Sequence, residues 1–261
     1  MAMKVHLELA DNIIFVDSPV GAGFSYATNP KGYYSDDFLS SRHVHQFLRK
    51  WLVDHDGFIS NSLYVSGESY CGMTVPIIVQ EILNGYCFFE AKNLDPVYTN
   101  HILQPRCISN QTCQSSMYQL LSYWADDIQV RAALHIQKGT KGPWVRCNYT
   151  TAYTKNVGST VDYHQNFTHE HIRALIFSGD QDMIVPYVST LKWIEMLNVP
   201  ITEAWRPWIF NGQVAGYTTK YSNDNYNLTY ATVKGAGHTS PEYKRPECLA
   251  MVKKWFAMHP L

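Results

Sequence analysis

The run Leu63-Tyr64-Val65-Ser66-Gly67-Glu68-Ser69-Tyr70-Cys71-Gly72, continued by MTVPIIVQEIL to Leu83, decides how this chain folds. The first four residues read as a short strand and the last eleven as a helix, so Ser69 falls on the corner between them. A serine at such a corner is held in a tight turn with its hydroxyl exposed, and small neighbours are needed for clearance. The pattern departs from G-x-S-x-G at one place, where Cys71 occupies the position of the last glycine.

The same alternation extends in both directions. Residues 12–17 (NIIFVD) form an apolar run ending in a Pro/Gly-rich loop, SPVGAGFSY, and read as a buried parallel strand. Val44, Phe47, Leu48, Trp51 and Leu52 have the spacing of an amphipathic helix. A helix with an acidic start is expected at residues 126–135, a strand at 173–177 and a helix around 191–197. Later strands are expected at 205–209, 215–221 and 230–233, and Leu249, Val252, Trp255 and Phe256 mark a closing helix. Strands alternating with helices imply an α/β fold, a mostly parallel sheet with helices on both faces. No repeat or clear linker divides residues 1–261, which read as a single domain. The irregular, cysteine-bearing stretch 86–123 reads as the remnant of an insertion.

Composition narrows the function. The 261 residues are 46% hydrophobic, enough for a sizeable core, and only 16% charged, which argues against disorder. Twenty-one Lys plus Arg against 22 Asp plus Glu lack the basic excess of a nucleic-acid binder. No apolar stretch reaches the ~18 residues of a membrane span. None of the six cysteines (Cys71, Cys87, Cys107, Cys113, Cys147, Cys248) forms a CxxC pair, so no structural zinc site is expected. Sequons at Asn110, Asn148, Asn166 and Asn227 make these four asparagines glycosylation candidates and favour an oxidising compartment. The opening MAMKVHLELADNIIF does not read as a signal peptide, so the front of the protein is expected to be missing.

Two further groups complete a chemistry with Ser69. RALIFSGDQDMIVP carries Asp180 and Asp182 just past a strand, and YATVKGAGHTSPE places His238 past another. Ser, Asp, His is the chain order of an α/β-hydrolase triad. A serine hydroxyl becomes a nucleophile when a histidine takes its proton, and a carboxylate orients that imidazole and stabilises its cation.

DSPVGAGFSY, GESYCG, SGDQDMIVP and GAGHTSPEYKRPE together resemble the signature blocks of the serine carboxypeptidases, and WRPW and GYTTKYSN are most similar to the plant members. The resemblance covers nearly the whole chain and implies an α/β-hydrolase fold. It implies Ser69 as nucleophile, Asp182 as orienting acid, His238 as general base and the Tyr70 amide as one oxyanion donor. Glu68 would hold a substrate carboxylate through a shared proton. The implied substrate is a peptide, whose C-terminal bond is hydrolysed, or a small acyl ester. No cofactor is implied, and the location is the secretory pathway, vacuole or cell exterior. In some plant members an alcohol resolves the acyl-enzyme, making them acyltransferases that use glucose esters.

The chain also departs from the family. An Asn-Gly-Gly-Pro-Gly block that supplies the second oxyanion donor is not found, a loss worth ~2.7–4 kcal/mol of transition-state stabilisation. At Asn84-Gly85-Tyr86, where the family continues into a core strand and a lid-like insertion, the chain passes almost directly to a cysteine loop. A lost central strand would leave sheet edges open. Cys147 resembles a cysteine whose partner lies in the missing front, and Cys87 is expected to pair with Cys107 or Cys113. A catalytically inactive, truncated family member is therefore a third expectation beside the hydrolase and the acyltransferase. His43 and His45 alternate on one helix and read as a solvated face rather than metal ligands, and His164, His169 and His171 cluster in a polar loop where no metal binding is expected. Trp205 and Trp208 read as strand packing, with a pocket for an aromatic acyl group as the alternative. Asp36 and Asp37 are expected to start a helix.

Overall fold

The computed structural model describes residues 12–83, 114–148 and 150–261, which fall into two compact units.

In the first unit (described residues 12–65, 77–83, 114–148 and 150–158), a two-residue strand β1 (Ser35–Asp36) pairs in parallel with β2 (Tyr153–Thr154). Helix α1 (Asp37–Asp54) starts where Asp36, in extended backbone, accepts a hydrogen bond from the Leu39 amide at 2.7 Å, an N-cap. Its neighbour does more than start a helix. Asp37 is wholly buried and accepts from the Tyr153 hydroxyl (2.7 Å) and the amides of Asn156 (2.7 Å) and Val157 (2.9 Å). An unpaired buried carboxylate would be very costly, and these three donors satisfy it while bolting α1 to the β2 loop. Helix α3 (Gln114–Asp126) is followed by α4 (Ile128–Ala133), capped by Asp127 through the amides of Gln129 and Val130. The stretch read as irregular thus contains a helix from Gln114 onward. Residues 86–113 lie outside the described residues.

Both strands expected ahead of Ser69 are absent as ladders. Residues 12–17 and 63–66 are not in strand pairing. Their side chains are left in water, with Phe15 84% exposed and Ile13, Ile14, Val16, Leu63 and Tyr64 also exposed. A buried parallel strand needs a neighbour to accept its amides and cover its faces, and none among the described residues does so.

The second unit (described residues 66–76 and 159–261) holds a four-stranded sheet of order β3-β6-β5-β4. Strands β3 (Ile172–Gly179) and β6 (Tyr226–Val233) run parallel without a register break, Ile172 opposite Tyr226 and Gly179 opposite Val233. Strands β4 (Ile201–Phe210) and β5 (Gln213–Ser222) form an antiparallel hairpin, and β5 pairs antiparallel with β6. The described sheet is therefore mixed rather than mostly parallel. The reason is local: Asn211 and Gly212 both have positive φ (48° and 73°), the two-residue turn that reverses a strand directly.

Core side chains of Trp208, Ala215, Ala231, Val233 and Ala236 close against Cys248 and Met251 of α8 (Arg245–Phe256). Trp208 is 1% exposed and donates its indole N–H to the Thr232 carbonyl at 2.9 Å, so it is strand packing. Gly216 makes room for that bond, since a β-carbon there would lie 2.6 Å from the Trp208 indole nitrogen and 1.8 Å from the Thr232 oxygen. Trp205 instead sits half out of the sheet, stacked on Tyr217 with centroids 5.7 Å apart. Helices α5 (Val161–Phe167) and α6 (Tyr187–Glu195) belong to this unit, and His164 of α5 lies against Phe167 and Trp193.

Candidate active site

Helix α2 (Cys71–Leu83) begins two residues after Ser69, and the turn before it is tight. The Cys71 amide donates to the Glu68 carbonyl at 3.0 Å and the Gly72 amide to the Ser69 carbonyl at 2.9 Å. Ser69 itself has φ 57°, in the left-handed region that a residue with a β-carbon seldom adopts. Strain of this kind persists only where the surroundings impose it, and here it turns an exposed serine hydroxyl outward. Clearance falls on Gly67: a β-carbon there would lie 2.3 Å from Cys71 Cβ. With glycine at 67, a cysteine is accommodated at 71, which accounts for the imperfect motif.

Asp182 and His238 follow the parallel pair β3 and β6. Because the two strands end level, at Gly179 and Val233, the loops after them emerge side by side. These loops are cross-linked. The Gly235 amide donates to the Asp180 carboxylate at 2.7 Å, and the Gln181 amide to the Ala236 carbonyl at 2.9 Å. Gly179 permits the approach, since a β-carbon there would lie 2.3 Å from the Gly237 oxygen. Asp180, the first of the two aspartates singled out from the sequence, thus braces the loop that carries His238.

The three side chains expected to act together do meet. His238 Nδ1 lies 2.9 Å from Asp182 Oδ2, and His238 Nε2 lies 2.6 Å from Ser69 Oγ. With Nδ1–H donating to Asp182, Nε2 is left to accept the serine proton. The second Asp182 oxygen accepts from the amides of Ile184 (2.8 Å) and Val185 (3.3 Å), and the residue is buried. The Asp182 hydrogen bond raises the His238 imidazole above its usual range, against a smaller opposing effect of burial.

Glu68 stands beside this relay. Its residue is largely open to solvent, yet desolvation of the carboxyl on its protein side raises it above the usual range. The Thr239 hydroxyl, hydrogen-bonded to it, and the His238 charge oppose that rise, while Glu242 and Asp182 add to it. Tyr70 follows Ser69 directly, and its carbonyl accepts from Met73 and Thr74 at the start of α2.

A family model described as serine carboxypeptidase matches residues 8–97 and 86–258. The chain belongs to the serine carboxypeptidase family. Serine carboxypeptidase-like 10 of Arabidopsis thaliana is 38% identical, covering 96% of this chain and 73% of its own length. Serine carboxypeptidase-like 8 of the same plant is 37% identical with the same two shares. The prohormone-processing carboxypeptidase Kex1(delta)p of Saccharomyces cerevisiae superposes with a TM-score of 0.68 at 16% identity, over 93% of this chain and 73% of its own. That likeness establishes the α/β-hydrolase fold. The aligned span with serine carboxypeptidase-like 10 is 324 residues, longer than this whole 261-residue chain. The relative therefore carries internal sequence that this serine carboxypeptidase homologue lacks. The family match divides at residues 86–97, beside the place where the internal gap is expected.

Other expected residues fall elsewhere. Cys71, Cys147 and Cys248 are free, Cys147 being exposed, whereas Cys87, Cys107 and Cys113 lie outside the described residues. Asn148, Asn166 and Asn227 are exposed; Asn110 lies outside the described residues. The Asn148 side-chain oxygen accepts from the amide (3.0 Å) and hydroxyl (2.7 Å) of Thr150, whereas that of Asn227 accepts from Ser222 at 2.8 Å. His43 is exposed on α1, and His169 and His171 are exposed beyond α5. Among the described residues no group of three His, Cys, Asp or Glu side chains is placed to hold a metal, and no helix is long and apolar enough to cross a membrane.

Proposed function

We propose that this chain is a serine-type carboxypeptidase that hydrolyses the C-terminal bond of a peptide through an acyl-serine intermediate. One observation carries the reading: the continuous relay from Ser69 through His238 to Asp182, with both distances at 2.9 Å or less. Ser69 Oγ attacks the scissile carbonyl as His238 Nε2 takes its proton, and Asp182 stabilises the imidazolium that forms. The same proton then passes to the leaving amine. Water enters and attacks the acyl carbon while giving a proton to His238, which returns it to Ser69 Oγ as the acyl–serine bond breaks and the acid product leaves. The Tyr70 amide, next after the nucleophile, serves as one donor to the developing oxyanion.

Glu68 makes the activity exopeptidic. As a protonated acid it donates to the free carboxylate of the substrate, which an ionised glutamate would repel. Activity thus requires a protonated Glu68 and a neutral His238 together, which makes the pH profile a bell. Exposed sequons at Asn148, Asn166 and Asn227 fit passage through the secretory pathway.

The test is stoichiometric labelling by a fluorophosphonate together with release of the last residue from an N-blocked dipeptide at mildly acidic pH. Ser69→Ala is expected to abolish labelling and lower turnover by at least ~10⁴-fold. Folded parent protein that neither labels nor turns over would overturn the reading in favour of an inactive relative. An acceptor alcohol, supplied with an acyl-glucose donor, separates hydrolysis from transfer: product that forms only with the alcohol would replace the hydrolase by an acyltransferase.

A further inference from the structure

The ladder between β3 and β6 stops at Gly179 and Val233, before either Asp182 or His238 is reached. Beyond it strand pairing no longer fixes where the two loops go, and another set of bonds takes over. The Asp180 amide donates to the Val233 carbonyl at 3.2 Å, and the Gln181 amide to the Ala236 carbonyl at 2.9 Å. One carboxylate oxygen of Asp180 then collects two donors, the Gly235 amide at 2.7 Å and the Gln181 side-chain amide at 3.0 Å. Gly235 has φ 70°, a left-handed conformation that glycine adopts without strain. On its other side His238 runs into the single turn of helix α7 (Ser240–Tyr243), where the Glu242 amide donates to the Thr239 carbonyl at 2.8 Å and the Ser240 hydroxyl to the Gly237 carbonyl at 3.3 Å. Those bonds are internal to the histidine loop, whereas the bonds to Asp180 and Gln181 tie it to the loop that carries Asp182.

We propose that Asp180 is a positioning residue for His238: its carboxylate fixes Gly235, and with it the turn Gly235-Ala236-Gly237 that delivers the imidazole between Ser69 and Asp182. This rests on the reading of His238 as the general base. It goes beyond that reading by giving the two aspartates of Gly179-Asp180-Gln181-Asp182 separate tasks. Asp182 holds the imidazole at Nδ1, and Asp180 holds the backbone from which the imidazole projects. The turn needs an anchor because two of its three residues are glycines, which have the most backbone freedom to lose. A carboxylate suits the task, since a hydrogen bond to an ionised acceptor is shorter and stronger than one between neutral groups. The relay in turn tolerates little drift, with His238 at 2.9 Å from Asp182 and 2.6 Å from Ser69. What Asp180 supplies is an acceptor oxygen at one place, so an amide oxygen there can stand in for it and a methyl group cannot.

The experiment follows fluorophosphonate labelling over time in the parent chain and in Asp180→Ala, Asp180→Asn and Asp180→Glu. The time course separates the fraction of sites that label from the rate at which each one labels. Asp180→Ala is expected to label more slowly per site by on the order of 10²-fold, the effect of a displacement near 1 Å. Asp180→Asn, which drops the charge and keeps the acceptor in place, is expected to recover most of that loss. Asp180→Glu keeps the charge and moves the acceptor by one methylene, so it is expected to be slow, and it decides the matter with Asp180→Asn if Asp180→Ala does not fold. The low-field proton NMR signal of the His238 Nδ1–H should follow the same order, displaced or lost in the alanine and glutamate variants and kept in the asparagine one. A smaller labelled fraction at an unchanged rate per site would show that Asp180 supports the fold alone, and would overturn the proposal. So would Asp180→Asn as slow as Asp180→Glu, because charge and not acceptor position would then matter. Parent protein that does not label overturns the hydrolase reading alone, because the Nδ1 proton reports on His238 without any reaction at Ser69.

Discussion

Strand β3 and residues 12–17 are both short and apolar, yet only one of them is a strand. β3 has β6 alongside it for eight residues, and its loop is pinned to the β6 loop. Residues 12–17 have no ladder partner among the described residues, and Phe15 is 84% exposed. Composition is nearly the same in the two, so what separates them is a neighbour. A β segment is stabilised by cross-strand hydrogen bonds and covered faces, and its own propensity contributes little without them.

Substitutions sharpen this contrast. The largest effect should follow Trp208→Ala in the sheet, a loss of ~3–5 kcal/mol from the emptied volume and the orphaned Thr232 carbonyl, read as a lower denaturant midpoint. Asp37→Ala should cost about 3 kcal/mol in the first unit, because it removes the buried acceptor shared by the Tyr153 hydroxyl and two amides. A cost near that of an exposed capping residue would show that water takes over those donors.

His164 offers a pH-dependent comparison. Burial against Phe167 and Trp193 lowers its imidazole to about 4, below the unfolded value of about 6.5. The unfolded chain therefore binds a proton that the folded one refuses. Stability is full above pH 6.5 and falls as pH drops toward 4, by about 3 kcal/mol in total. His164→Leu should flatten that slope in denaturation curves taken at successive pH values. A slope that survives the substitution would place the acid sensitivity elsewhere. The smallest effect belongs to the front: Phe15→Ser should change stability by less than about 0.5 kcal/mol while reducing self-association in light scattering. A loss comparable to that of Trp208→Ala would mean that residues 12–17 are covered after all.

The same contrast governs what was legible in the sequence. The order Ser69, Asp182, His238 could be read because each residue follows a short apolar run, and the structure brings the three together. β3 to β6 were legible as apolar runs, but their directions were not. The Asn211-Gly212 pair was the available signal for the hairpin that makes the sheet mixed. Helix α3 was hidden by its position behind the cysteine loop. The strands before Ser18 and before Gly67 were expected from periodicity alone, which records what a segment prefers and is silent about what lies next to it. Asp37 looked like a helix starter, because its three donors come from residues more than a hundred positions away.

The level ending of β3 and β6 has a consequence for how this protein can change. The distance between Asp182 and His238 is inherited from a ladder register and from two loop-to-loop hydrogen bonds, and not from the length of chain that separates them. The β4–β5 hairpin, tipped by Asn211 and Gly212, is therefore free to lengthen, shorten or receive inserted sequence while the Asp182–His238 pair stays where it is. Variation between relatives can accumulate there at little risk to the chemistry.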